Sequence, residues 1–182
     1  MRAKALIITA LALAGCGAAA PEHAAVLGGN TPEGGWPVLG TVTGSIGGNA
    51  HVWNSYDFSV GAFDASAWIE GRMLNLIFYP EGLSDAKEGL LHVEAPLIEL
   101  SRSAALAGPA RVQIVDNAAW DAPRLRDLSG RVVITRFLAD QALSESGYGT
   151  IAGSILAQLC EATGGGCVPF VGRFETRLQI SP

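Results

Sequence analysis

Few side chains in this sequence could do chemistry. Three histidines (His23, His51, His92) and three cysteines (Cys16, Cys160, Cys167) are set among seventeen carboxylates. A zinc site needs three or four converging ligands, and neither His51 nor His92 has a second His or Cys at metal spacing. No metal is expected. The Gly-x-Ser-x-Gly elbow that presents a nucleophilic serine does not occur. Two carboxylates at the right separation can cleave a glycosidic bond. Glu70 and Glu94 are two of many that could serve, and solubility accounts for them as well. Gly147-Tyr148-Gly149-Thr150-Ile151-Ala152-Gly153 echoes a dinucleotide fingerprint. That motif needs a strand before it and a helix after it, and neither is indicated. Glycines spaced this way suit a turn or a close backbone approach within a sheet. No cofactor and no catalytic residue is expected.

The densest mixture of aromatic and polar side chains is His51-Val52-Trp53-Asn54-Ser55-Tyr56-Asp57-Phe58. Aromatic anchors dominate binding hot spots, so His51, Trp53, Tyr56 and Asp57 form a candidate recognition surface. The plainer alternative is that Trp53 or Phe58 packs the core while its polar neighbours face water. Trp36, Trp68 and Trp120 are expected to be core or edge-covering residues.

The elements that must position these groups begin with an export signal. Arg2 and Lys4 form a short basic region, and Ala5 to Ala14 is an uncharged apolar run interrupted by one Thr. Those zones, followed by small residues, make a secretory signal. The run is shorter than the about 20 apolar residues a spanning helix needs, and no later stretch is longer or more apolar, so no transmembrane helix is expected. Leu13-Ala14-Gly15-Cys16 resembles the lipobox of bacterial lipoprotein precursors. In that family the cysteine receives a diacylglycerol, a dedicated peptidase cuts before it, and the new amino terminus is often acylated. The resemblance covers about 16 residues and implies lipidation of Cys16. Two or three acyl chains anchor stably where one does not. The alternative is an ordinary secretory signal cut near Ala18-Ala19-Ala20. By the same resemblance, Gly17 after the cysteine, where Asp would retain the protein in the inner membrane, favours an outer-membrane anchor facing the periplasm. With Cys16 committed to lipid, Cys160 and Cys167 remain, and two thiols in an oxidising compartment usually pair.

Cleavage before Cys16 removes 15 of the 182 residues and leaves 167, enough for one domain with a real core. Ten basic residues then face seventeen acidic ones, a formal charge of −7, and Lys87 is the one lysine left. This balance argues against nucleic acid and against electrostatic docking on anionic lipid. The expected partners are the membrane, through the N-terminal lipid, and an envelope protein or small ligand.

The chain divides into a signal (1–15), the lipidated cysteine with an Ala/Gly/Pro-rich tether (16–35), and a globular domain (36–182). His23 falls in the tether, which would span roughly 24 Å as a flexible coil. Beyond Trp36 the pattern is β. Phe174, Thr176, Leu178 and Ile180 alternate with Arg173, Glu175, Arg177 and Gln179, the mark of a half-buried strand. Arg111–Ile114 alternates likewise, and Arg131–Thr135 is β-branched and suits a buried strand. Further strands are expected over Val38–Ile46, Ala50–Val60, Ser66–Glu70, Leu74–Tyr79, Leu90–Leu100 and Thr150–Cys160. The last of these also fits a helix stripe, with Ile151, Ile155 and Leu159 four residues apart. Gly47-Gly48-Asn49 suits a tight hairpin, and Pro80-Glu81-Gly82 and Ser129-Gly130 break the runs. Arg102–Leu106 and Asp140–Ser144 read as single helical turns. The expected fold is all-β: a single antiparallel β-sandwich or small barrel of about 8–9 strands. An outer-membrane barrel shares the alternation, but the sequence lacks its lipid-facing apolar band and aromatic girdles. The expected role is a non-enzymatic binding module of the envelope; the alternative is a hydrolase acting on envelope polymer or glycan.

Overall fold

The computed structural model describes residues 36–57, 66–80, 89–116 and 123–182. The signal, Cys16, the tether with His23, Phe58–Val60, Lys87 and Trp120 lie outside the described residues. The first half of the chain forms β1 (Val38–Ile46), β2 (Asn49–Tyr56), β3 (Ala67–Glu70), β4 (Met73–Pro80) and β5 (Leu90–Ser101). The second half forms β6 (Ala104–Ala107), β7 (Pro109–Val115), β8 (Leu125–Ala139), β9 (Gly147–Glu161) and β10 (Cys167–Ser181).

All ten strands belong to one sheet. β1, β2, β4, β5, β7, β8, β9 and β10 pair antiparallel in chain order, and β10 pairs back with β1, so the sheet closes partly into a ring. Its narrowest joint is β2–β4, with two residue pairs, Trp53 with Pro80 and Asn54 with Tyr79. β3 lies between β4 and β10, parallel to β10. The all-β expectation is met.

The tenth strand arises where a helical turn was expected. Arg102 and Ser103 form a two-residue turn, and β6 returns against β5, with Ser101 facing Ala104 and Leu97 facing Ala107. Ala and Leu favour helix locally, but pairing with a long neighbouring strand overrides that small preference. Asp140–Ser144 is likewise not helical; it lies in the β8–β9 connection, where the Glu145 N–H donates to Ala142 O. β9 resolves the helix-or-strand ambiguity: it runs along β10 for fourteen residue pairs, and Ile151, Ile155 and Leu159 point to the core.

Alternation sends apolar side chains inward. Val42, Trp53, Leu74, Leu76, Phe78, Leu91, Val93, Val112, Ile114, Ile151, Ile155, Phe170, Phe174 and Leu178 are buried in one cluster. Arg173 and Glu175 on β10 face outward. On this stretch of β10 the outward side is polar, unlike the apolar lipid-facing side of a membrane barrel. Among the inward positions, Ser55 Oγ and Thr176 Oγ1 satisfy each other at 2.6 Å. Trp53 Nε1–H donates to Gly89 O at 3.2 Å, which gives the buried indole its partner.

The strand directions define two ends. One carries the β1–β2 turn at Gly47-Gly48, both with positive φ, and the β9–β10 turn. At that turn Cys160 faces Cys167, with Cα atoms 4.0 Å apart and the sulfurs at bonding distance. The Cα separation is shorter than the common about 5.5 Å. Glu161 N–H donates to Gly166 O, so the next pair, Cys160 and Cys167, is a non-hydrogen-bonded pair, the narrower of the two antiparallel spacings. The opposite end holds the start of β1 at Val38, the start of β4, the β5–β6 turn and the end of β8.

Candidate functional site

Among the described residues, a cluster of titratable groups sits on the outer wall, on β4, β5 and β7. Leu91, Val93 and Ala95 of β5 point into the core, so His92 and Glu94 point out. His92 lies between Ile77 of β4 and Gln113 of β7 in register, and Glu94 between Asn75 and Arg111. Arg111 Nη1 donates to Glu94 Oε2 at 3.2 Å, and His92 Nε2 stands 3.9 Å from Glu94 Oε1. Asn75 and Gln113 are buried although they face outward.

Burial lowers the His92 pKa. Glu94 and a hydrogen bond with Gln113 oppose that shift, Arg111 reinforces it, and burial prevails. The imidazole is therefore neutral at pH 7. A histidine beside a carboxylate can act as a general base. Here, however, Glu94 is already engaged by Arg111, and His92 reaches it only at ion-pair range. Among the described residues no group of three His, Cys, Asp or Glu is placed to hold a metal ion.

A second polar device lies in β8. The register of β8 against β9 shifts between Arg126 and Arg131, where an extra residue bulges. Asp127 spans the interruption. Its Oδ2 accepts from the Gln158 N–H at 2.7 Å, and its Oδ1 accepts from the Ser129 N–H at 2.8 Å and the Ser129 hydroxyl at 3.1 Å. Burial raises the Asp127 pKa, but the three hydrogen bonds together outweigh it and hold the carboxyl below its ordinary range. The geometry is structural: a carboxylate stands in for the ladder where the bulge interrupts it.

The four residues of the candidate recognition surface do not share one face. Trp53 is buried in the core, edge-on to Phe170 at 5.9 Å between ring centroids. His51, two residues away on the same side, stacks on Trp53 at 5.2 Å. Tyr56 is turned the other way: its hydroxyl accepts from Asn54 Nδ2 at 3.4 Å, and its ring is tilted against Tyr79 at 5.9 Å. Asp57 lies just past β2, its N–H donating to Pro37 O. Strand alternation is the physical reason: neighbours in a strand part to opposite faces. His51 and His92 are likewise on different faces of the sheet.

Pattern reading missed an apolar cluster on the outside of β8, β9 and β10. Leu156 faces Val171 in register, and both point outward, 39% and 50% exposed. Leu128, in the β8 bulge beside Asp127, is 63% exposed. The signal was present in the sequence. Val171 falls in the same phase as Arg173, Glu175 and Arg177, so it is an apolar residue in a polar row.

No protein-family model, curated protein or solved structure matches the chain.

Proposed function

We propose that this chain is a lipid-anchored envelope protein whose barrel binds a partner protein and does no chemistry of its own. The observation that carries the binding reading is the outward pair Leu156 and Val171, with Leu128 exposed in the bulge of the adjacent strand β8. Side chains facing water on a strand are normally polar, and apolar neighbours exposed together favour an interaction surface. The wall is convex. Small ligands bind in concave pockets, so a protein suits this surface better. The anchor reading rests on the ordered signal and Leu13-Ala14-Gly15-Cys16. It is supported by the facing pair Cys160 and Cys167, an arrangement found in oxidising compartments. The outer membrane, facing the periplasm, is the proposed location.

Among the described residues the hydrolase alternative would draw on the His92–Glu94 pair, where Arg111 occupies the carboxylate. The test is in-cell photocrosslinking with a benzophenone amino acid placed at 156 or 171, and at 173 as a control. The proposal expects one discrete adduct at 156 and 171, identified as an envelope protein and lost when the neighbouring apolar residue is changed to Ser. Indiscriminate adducts at all three positions, or release of fragments from peptidoglycan by the purified protein, would overturn it.

A further inference from the structure

A second group of exposed apolar side chains lies at the end of the barrel where the N-terminal strand enters. Val38 opens β1 there, paired with Tyr56 at the end of β2. Met73 at the start of β4, Ile98 on β5, Leu106 on β6 and Leu138 on β8 are all exposed at this end. They are joined into a belt. Met73 faces Pro96 in register. Pro96 and Ile98 flank the same point on the link between β6 and β7, since a Cβ on Gly108 would lie 3.2 Å from Pro96 Cγ and 3.5 Å from Ile98 Cδ1. Leu106 faces Glu99, the residue after Ile98. Leu138 adjoins Ala139, whose N–H donates to Arg102 O in the β5–β6 turn.

Two turn arginines frame the belt. Arg72 donates from Nε to Leu97 O at 3.0 Å and from its guanidinium to Ile98 O. Arg102 donates from Nε to Ala139 O at 3.3 Å and from Nη2 to Asp140 O at 3.0 Å. Each holds a cation beside exposed apolar carbon, the pairing that suits the boundary between lipid tails and headgroups. Glu70, Glu99, Asp140 and Arg177 stand at the same end, so it carries both signs of charge and no basic cluster.

We propose that this belt rests on the surface of the bilayer that holds the protein, an inference that rests on the lipidation of Cys16. The occupant follows from chain length. Nineteen residues separate Cys16 from Trp36, and the flexible tether expected from their Ala/Gly/Pro-rich composition would have an end-to-end distance of roughly 24 Å. The end bearing the belt is thus confined near the lipid, at an effective concentration that makes weak apolar contacts productive. A mixed-charge rim on an acidic chain fits zwitterionic headgroups rather than an anionic surface, which would require a cluster of Lys and Arg. The Leu156–Val171 surface sits toward the far end, beside the Cys160–Cys167 turn. The two apolar surfaces therefore divide the work: one faces the membrane and the other faces the periplasm.

The test uses the full lipidated protein reconstituted in phosphatidylcholine–phosphatidylethanolamine vesicles. A benzophenone amino acid replaces Ile98, Leu106 or, at the far end, Thr163. All three positions are exposed, so the core is undisturbed. Illumination should give phospholipid adducts at 98 and 106 and only background at 163. Protein that is vesicle-bound through Cys16 but shows no lipid adduct at 98 and 106, or equal adducts at 163, overturns the inference and leaves the anchor standing. Adducts joining two copies of the chain, or the chain to another protein, also overturn it. A Cys16→Ala variant tests the anchor separately: if it binds vesicles as well as the wild type, the lipidation reading fails and the belt loses its basis.

Discussion

Phe174 of β10 faces Gly153 of β9 and takes the room that glycine leaves. A Cβ at Gly153 would stand 3.1 Å from Phe174 Cε1 and 2.3 Å from the backbone oxygen of Val133 on β8. The same device recurs at the closing seam, where a Cβ at Gly40 would meet Glu175 O at 2.2 Å and Thr176 Cα at 2.4 Å. Bare backbone on the inner face lets neighbouring strands approach and the sheet curl.

Filling that space should therefore be costly. Gly153→Val is expected to destabilise the domain by about 3 kcal/mol, the upper range for overpacking, lowering Tm by about 6–12 °C for a domain of this size. Gly166 meets nothing within 4 Å of where a Cβ would stand, so Gly166→Ala should change stability by less than about 0.5 kcal/mol. Thermal unfolding followed by circular dichroism compares the two.

Much of this architecture was legible in the sequence, and the reasons are local. β1 follows its expected bounds because alternation from Val38 to Ile46 stops at two glycines that take positive φ. The alternation of Phe174, Thr176, Leu178 and Ile180 marks β10, which extends back to Cys167. The β-branched run marks β8 only over Arg131–Thr135, whereas the strand spans Leu125–Ala139, because the bulge around Asp127 shifts the phase. Ring closure and the long β5–β6 hairpin depend on pairings between distant segments, which no local period encodes. The site was less legible than the fold. Residues adjacent in His51–Asp57 look like one surface in one dimension and part to opposite faces in three. Leu156 and Val171 are neighbours only through register.

Asp127 should support the bulge in a pH-dependent way. Asp127→Ala removes three accepted hydrogen bonds and is expected to cost about 1–2 kcal/mol at pH 7. The folded-state pKa lies below its unfolded value, so the charged form is the one the fold favours. Its contribution is complete above the unfolded pKa of about 3.9 and fades as pH falls through the folded pKa. Urea unfolding at pH 7 and at pH 3 should show the gap between wild type and variant narrowing at the lower pH.

His92 also makes the fold less stable as pH falls, but at a higher pH and because the fold favours its neutral form. Its folded pKa is lowered, so the unfolded chain takes up a proton more readily than the folded one. Stability is complete above the unfolded pKa of about 6.5 and declines as pH falls from there toward the folded value, below which this effect levels off. His92→Gln should flatten that part of the stability profile between pH 7 and pH 5 while leaving the Asp127 region unchanged. A variant as steep as the wild type between pH 7 and pH 5 would assign the slope to other groups.

The central claim is an exported barrel held to a membrane by lipid on Cys16, and one measurement reads it directly. Protein extracted from membranes is alkylated without reductant and its intact mass is determined. The account predicts a chain of 167 residues beginning at Cys16, heavier by a diacylglyceryl group with or without a further acyl chain, and no alkylation at Cys160 or Cys167. A chain that retains Met1, one that begins near Ala20 without lipid, or one with both thiols alkylated would contradict it.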